Sequence, residues 1–194
     1  GEHIYGCSDA VDPLSGYRCK AQPAIFHHDR AAIKDSLGIC DNIFPLLTSP
    51  KEEDWLVRVD GVDGLHLEHY LFEAAAGWDI SSEAFYAMGT RIFTAERMLA
   101  HRNWGRSRNT DETIMAYLSH PEGTANPWLG ERITLDATRF GVLLDEYYDL
   151  RGWDRNSAWP NRGTLSALEM DEYALDTIGA AVAAPSAVSG TVNG

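Results

Sequence analysis

Cysteine is scarce in this chain, and the scarcity excludes two kinds of protein. Only Cys7, Cys19 and Cys40 occur among 194 residues. An odd trio is too small for a disulfide framework and suits a reducing cytoplasm. No C-x-x-C pair is present, so the chain cannot itself supply four sulfur ligands. Any metal chemistry must borrow ligands from elsewhere. Basic residues are also few: 16 Lys and Arg stand against 29 Asp and Glu, a formal net charge of −13. That balance argues against a nucleic-acid binder, which needs a basic footprint, and against an anionic membrane surface as partner. The acidity reads as solubility. No stretch approaches the ~20 apolar residues of a membrane helix, and no signal peptide is expected. Strand signals are nearly missing as well, Trp55–Val59 being the one candidate. What is present is a globular composition, 44% hydrophobic and 23% charged, long enough to bury a core. The chain opens on Gly1 rather than Met, which predicts a polypeptide processed or cut from something longer.

The pattern along the chain predicts an all-α domain, irregular and with long loops, over residues 1–178. A disordered, uncharged tail is expected over 179–194. Residues 1–23 read as loop, punctuated by Gly6, Asp12-Pro13, Ser15-Gly16 and Pro23. A helix is expected from Ala24, with Phe26, Ile33 and Leu37 on its inner face and Gly38 as its stop. A second should occupy about 65–76 and end at Gly77. Ser81 caps the third, where Phe85, Met88, Ile92, Ala95 and Leu99 recur with helical period. Arg91, Glu96 and Arg97 lie off that stripe, on a solvated face or in a buried ion pair. A short helix through Met115 and Leu118 comes next. Asp136 caps a further helix whose inner face carries Phe140, Leu143, Leu144, Tyr147 and Tyr148. A last one starts near Thr164. Gly77-Trp78-Asp79 and Gly152-Trp153-Asp154 read as two similar helix exits, each with a Trp folding back onto the core.

Chemistry concentrates in Asp35-Ser36-Leu37-Gly38-Ile39-Cys40, a D-x-x-G-x-C string. Asp35 offers a carboxylate acceptor for an amino-bearing heterocycle. Gly38 lets the backbone reach φ > 0 or approach a flat ligand. Cys40, as a thiolate, suits zinc or an iron–sulfur cluster. The negative end of a helix dipole is a poor place for Asp35, which must be either exposed or given a specific donor. By themselves these six residues read as a helix stop followed by a buried cysteine.

Four blocks in order change that reading. They are Asp35–Cys40, Ala74–Ile80, Gly89-Thr90-Arg91-Ile92-Phe93 with Glu96-Arg97-Met98 and Arg102-Asn103, and Leu144–Asp154. Together they resemble the tungsten-dependent aldehyde ferredoxin oxidoreductases over about residues 24–170. The resemblance implies an enzyme that holds tungsten (or molybdenum) through the dithiolenes of two pterins, beside a [4Fe-4S] cluster. It implies an N-terminal β domain followed by two helical domains, of which this chain corresponds to the last. It further implies that Asp35 bonds a pterin amino group, that the backbone at Gly38 and Ile39 contacts the same pterin, and that Cys40 is a cluster ligand. Oxidation of an aldehyde to a carboxylic acid would follow, with electrons leaving to ferredoxin or a similar carrier. The upstream domains of the enzyme and a small aldehyde are the other partners implied, and this stretch alone would be inactive. His3 lies in the region where the family places a His near the metal, though no motif pins it. His27 and His28, on the helix, are weaker candidates for that place, and the loop carrying Tyr5, Tyr17 and Arg18 is a candidate lining for a substrate route. The alternative is a helical interaction module that keeps the fold without the redox centre.

Overall fold

A computed structural model describes residues 1–12, 14–40, 66–119, 123–126 and 130–172. Within these residues the protein is all-α, with eight helices and one small hairpin. The helices are α1 (Glu2–Tyr5), α2 (Ala21–Leu37), α3 (Leu67–Ala76), α4 (Ser82–Trp104), α5 (Arg108–Glu112), α6 (Met115–Leu118), α7 (Ala137–Arg151) and α8 (Arg162–Ala167). Strands β1 (Thr124–Asn126) and β2 (Glu131–Ile133) pair antiparallel, Ala125 opposite Arg132. The Trp55–Val59 candidate strand and the tail over 179–194 lie outside the described residues. No described helix is long and apolar enough to cross a membrane.

The chain divides into two compact units, Ala24–Phe93 and the combination of Gly1–Pro23 with Thr94–Gly194. In the first, the helices begin and end where local chemistry dictates. At the exit of α2 the Gly38 N–H reaches the Asp35 carbonyl (3.3 Å) and the Ile39 N–H reaches the Lys34 carbonyl (2.9 Å). With Gly38 at φ 70, that is a Schellman turn. Helix α3 ends on Gly77 in the left-handed region, its N–H bonded to the Glu73 carbonyl at 2.8 Å. Ser81 opens α4, its Oγ accepting the Ala84 N–H at 3.2 Å. Phe85 is buried among the rings of His69, Phe72 and Tyr86, at 5.3–5.4 Å between centroids. Burial of such a side chain contributes roughly 1.5–3 kcal/mol.

Helices α2 and α4 meet closely at Gly89. A Cβ there would stand 2.5 Å from the Asp29 carbonyl oxygen and 2.9 Å from Ile33 Cδ1. Beside this contact Thr90 Oγ1 donates to Asp29 Oδ2 at 2.8 Å. Ile33 is accordingly buried, but Leu37, expected on the same face, is exposed. It lies one turn beyond the segment Asp29–Ile33 that α4 covers.

The second unit starts differently from its sequence expectation. Residues 1–23 are not plain loop: α1 and a 3-10 turn at Ser8–Ala10 precede α2, which begins at Ala21, three residues early. Pro23 permits that start because its missing N–H falls in the first turn, where no partner is required. Cys7 and Cys19 form a disulfide, with Cα atoms 6.4 Å apart. This corrects the expectation of unpaired thiols and withdraws the argument drawn from cysteine count. The pairing follows from local folding of the loop between them. Lys20 Nζ donates to the carbonyls of Asp9 (2.6 Å), Ala10 (3.3 Å) and Asp12 (2.7 Å), closing the segment on itself.

Met98, Leu165 and Met170 form the core of this unit, with Ala95 and Leu168 packed against it. Leu99, placed by periodicity on the inner face of α4, is 45% exposed, while Thr94, Arg97 and Met98 are buried instead. The stripe fails here in part because Arg97 occupies a buried position with partners from distant segments, which a hydrophobic period does not register. Asp136 caps α7 as expected, accepting the Arg139 N–H at 2.8 Å. The two Trp exits diverge. Trp153 is buried, since the chain after Gly152 doubles back through a Trp153–Pro160 bridge and an Asn161 N–H to Gly152 carbonyl bond of 2.9 Å. Trp78 is 60% exposed, touching Phe72 only edge-on, because Gly77 leads almost directly into α4 with no returning loop.

Candidate cofactor-contacting site

The D-x-x-G-x-C string occupies the last turn of α2 and its exit. The Schellman turn takes up the Lys34 and Asp35 carbonyls, and Ser36 Oγ donates to the Ala32 carbonyl at 2.8 Å. The backbone to Ile39 is thus fixed by bonds internal to the chain. The side chains that carry chemistry project from it: Asp35 is exposed, and Cys40 is an exposed free thiol rather than a buried one. This satisfies the first of the two conditions set for a carboxylate at a helix C-terminus, exposure. Gly38 presents an open backbone, with nothing within 4 Å of where a Cβ would stand.

Such an arrangement offers a carboxylate acceptor, a flat patch of backbone and one soft ligand, in that order. It fits a site that grips a heterocycle and supplies a single sulfur to a cluster. It does not constitute a metal site alone: among the described residues no three His, Cys, Asp or Glu side chains converge to hold an ion.

Tyr17, Arg18, His27 and His28 have contacts of their own. His3 lies in α1, and its side chain is outside those described. Tyr17 receives the Asp136 N–H at 2.7 Å and carries the Arg139 guanidinium over its ring at 4.6 Å. Arg18 pairs with Asp9 at 3.1 Å. His28 stacks on Phe93 and His27 sits edge-on to Phe26. Burial, then the charges of Arg30 and Lys34, hold the His27 imidazole below its ordinary pKa.

Sequence reasoning missed a charged cluster beneath the motif. Arg30 is 3% exposed and forms a fork on Glu68 of α3, itself 1% exposed, with Nη2 at 2.5 Å from both carboxylate oxygens and Nε at 3.2 Å. Lys34, one turn later, is 3% exposed. Burial and the Arg30 charge hold its ammonium below the usual pKa, against the opposing pull of Glu68 and Asp35. A signal existed: Arg30 and Lys34 interleave with Phe26, Ile33 and Leu37 on the stripe at helical spacing, where apolar residues were expected.

A second buried network joins the α4 block to Leu144–Asp154. Arg97 of α4 donates through Nη1 to Asp111 Oδ1 (2.9 Å) and through Nε to the Ala158 carbonyl (3.1 Å); its Nη2 stands 2.8 Å from Asp111 Oδ2 as an ion-pair contact, and its guanidinium lies over Trp153 at 5.3 Å. Tyr148 Oη donates to Asp111 Oδ2 at 2.8 Å. Burial works to raise the Asp111 pKa, but the hydrogen bonds from Arg97 and Tyr148 and the Arg97 charge outweigh it and leave it low. Burial and then the Asp111 carboxylate push the Tyr148 phenol well above its ordinary value. Arg97, the residue left between solvent and an ion pair, is therefore in the ion pair. These conserve the shape of the unit and present no reactive group.

Comparison with known proteins shows the family. The family described as "Aldehyde ferredoxin oxidoreductase, domains 2 & 3" matches residues 2–170. The tungsten-containing aldehyde ferredoxin oxidoreductase of Pyrococcus furiosus is 28% identical over 172 residues, covering 88% of this chain and 24% of that protein. Its namesake from Thermococcus kodakarensis is 28% identical over 159 residues, covering 81% and 22%. The chain thus spans about a quarter of the length of these relatives. No solved structure matches. A match running from α1 to the residue closing the second unit's core, and including the α2 exit with its carboxylate and thiol, means that this chain belongs to the aldehyde ferredoxin oxidoreductase family.

Proposed function

We propose that this chain is the cofactor-contacting C-terminal part of a tungstopterin iron–sulfur enzyme that oxidises aldehydes to carboxylic acids. The observation that carries the proposal is the α2 exit, where a fixed backbone turn holds out an exposed carboxylate and an exposed free thiol five residues apart. Asp35 would accept hydrogen bonds from the amino group of a pterin. The backbone at Gly38 and Ile39 would lie against the same pterin, where the missing Cβ leaves room. Cys40, deprotonated, would give one sulfur to iron. His3 would stand near the metal.

When bound, the tungsten–dithiolene centre and the [4Fe-4S] cluster supply the two-electron oxidation and its one-electron relay to ferredoxin or a similar carrier. The part of this chain is to fix the pterin grip and the sulfur ligand on a single rigid turn, so that their separation does not vary. The remaining ligands come from upstream domains of the same enzyme.

The test is Cys40→Ala in the intact enzyme, with electron paramagnetic resonance and metal analysis. The [4Fe-4S] signal should disappear or convert to a three-iron form while tungsten or molybdenum is largely kept. A full-intensity [4Fe-4S] signal in the variant would refute the role of Cys40. An intact enzyme with neither metal nor cluster would favour the helical interaction module.

A further inference from the structure

Helix α3 is inside out for a surface helix, which ordinarily turns its apolar stripe inward and its charges to water. Its two buried residues are Glu68 and His69. Tyr70 and Leu71 are each 37% exposed, and Ala74 and Ala75 are exposed with them. These four share one side of the helix at helical spacing. Trp78, just past the exit, is 60% exposed. Between Tyr70 and Trp78 the one charged side chain is Glu73, and it is engaged: its Oε1 accepts the Ile80 N–H (3.4 Å) and stands 3.4 Å from His69 Nε2. Polar contacts fix this orientation. Glu68 takes the two-pronged Arg30 pair, and His69 Nε2 stands 2.6 Å from the Ile80 carbonyl oxygen. Rolling the helix to bury Tyr70 and Leu71 would separate a buried ion pair. The uncharged outer side therefore stays outward, and contiguous exposed apolar surface of this kind marks an interaction site.

We propose that the outer side of α3, with Tyr70, Leu71, Ala74, Ala75 and the nearby Trp78, seats an upstream domain of the same polypeptide. The proposal rests on the reading of this chain as one part of a longer enzyme. Three arguments choose that occupant over a second copy or a separate protein. This stretch covers 24% and 22% of the relatives' length, so most of such an enzyme lies outside these residues and has to pack somewhere. Helix α3 also belongs to the same compact unit as the α2 exit and is tied to α2 through Arg30 and Glu68. Cys40 offers one sulfur, so the domain that brings the cluster's other ligands must come up against this unit. Finally, a side without charge suits a permanent contact, since permanent interfaces are the more apolar ones and their centres are depleted of charge.

Hydroxyl-radical footprinting of the intact wild-type enzyme, read by mass spectrometry, reports on this side whatever the state of the metal centre. Tyr70 and Trp78 should fall to about a tenth of the reactivity they have in the urea-unfolded enzyme, as at the dry centre of an interface. Reactivity in proportion to 37% and 60% exposure would overturn the proposal. Photo-crosslinking then identifies the occupant, with p-benzoylphenylalanine in place of Tyr70 in the intact enzyme. The crosslinked peptide should come from the upstream part of the same polypeptide. A doubled-mass product joining two copies, a crosslink to a separate protein, one confined to residues 1–194, or no crosslink at all would each overturn it. If that variant does not accumulate, the same group in place of Leu71 reads the same side. A wild-type enzyme with Trp78 protected but no [4Fe-4S] signal would refute the cluster reading and leave this one standing. Trp78 fully reactive beside a full [4Fe-4S] signal would do the reverse.

Discussion

Ala158 and Glu169 take φ values of 57° and 56°, in the left-handed region that costs a residue with a Cβ roughly 1–2 kcal/mol. Ala158 is held there for its carbonyl, which accepts the Arg97 Nε–H, and Glu169 turns the chain so that the Met170 N–H reaches the Leu165 carbonyl at 2.8 Å. Glycine would meet both demands without strain. Allowing for the extra freedom it brings to the unfolded chain, Ala158→Gly and Glu169→Gly should each raise stability by up to about 1 kcal/mol, measured as the shift in urea midpoint. The reverse holds at Gly89. There a methyl group would meet the Asp29 carbonyl at 2.5 Å, backbone that cannot swing aside, so Gly89→Ala should destabilise by about 1–3 kcal/mol. A Gly89→Ala protein as stable as wild type would show that α2 and α4 are free to separate.

Helix ends were readable in the sequence because they are decided within a few residues. Gly38, Gly77 and Gly152 all lie at φ 65–70°, and Ser81 and Asp136 cap as their side chains dictate. Asp136→Ala should accordingly cost about 1 kcal/mol in thermal unfolding. Helix faces were less readable. Periodicity placed Leu37 and Leu99 inside, left Arg97 between solvent and an ion pair, and passed over Arg30 and Lys34, because it sees hydrophobicity and not partners from distant segments. Arg97 is buried only because Asp111 and Ala158, 14 and 61 residues away, come to meet it. That network makes a pH prediction. The Asp111 pKa is depressed in the folded state, so its contribution is present above the unfolded carboxylate range and is lost as pH falls through the folded value. Asp111→Asn should remove that part of the acid limb of a stability–pH profile. Tyr148 acts at the other extreme. Its raised pKa gives stability that is complete below the unfolded phenol value near 10 and is lost only at still higher pH.

Along the whole chain, the covalent tie of Cys7 to Cys19 precedes α2 and the free Cys40 follows it. Counting cysteines could not separate these roles; the folding of residues 7–20 around Lys20 does. Closing a loop of this length is worth up to about 3 kcal/mol, so reduction or a Cys7→Ser, Cys19→Ser double change should lower the melting temperature while Lys20 still holds the segment's carbonyls. Of the candidate site, Asp35, Gly38 and Cys40 stood out in the string itself, whereas the charged underlayer needed Glu68, 34 residues beyond Lys34, to be brought back against α2. The exit of α2 also bears on how a holoenzyme is put together. Its turn closes with hydrogen bonds from Gly38 and Ile39 to the chain's own carbonyls, so no folding needs to await a bound group. Zinc-finger domains, by contrast, spend their metal affinity on ordering the chain. On the proposed assignment, a turn closed beforehand would suit a cofactor delivered late to an already folded protein and would let nearly all of its affinity go into retention.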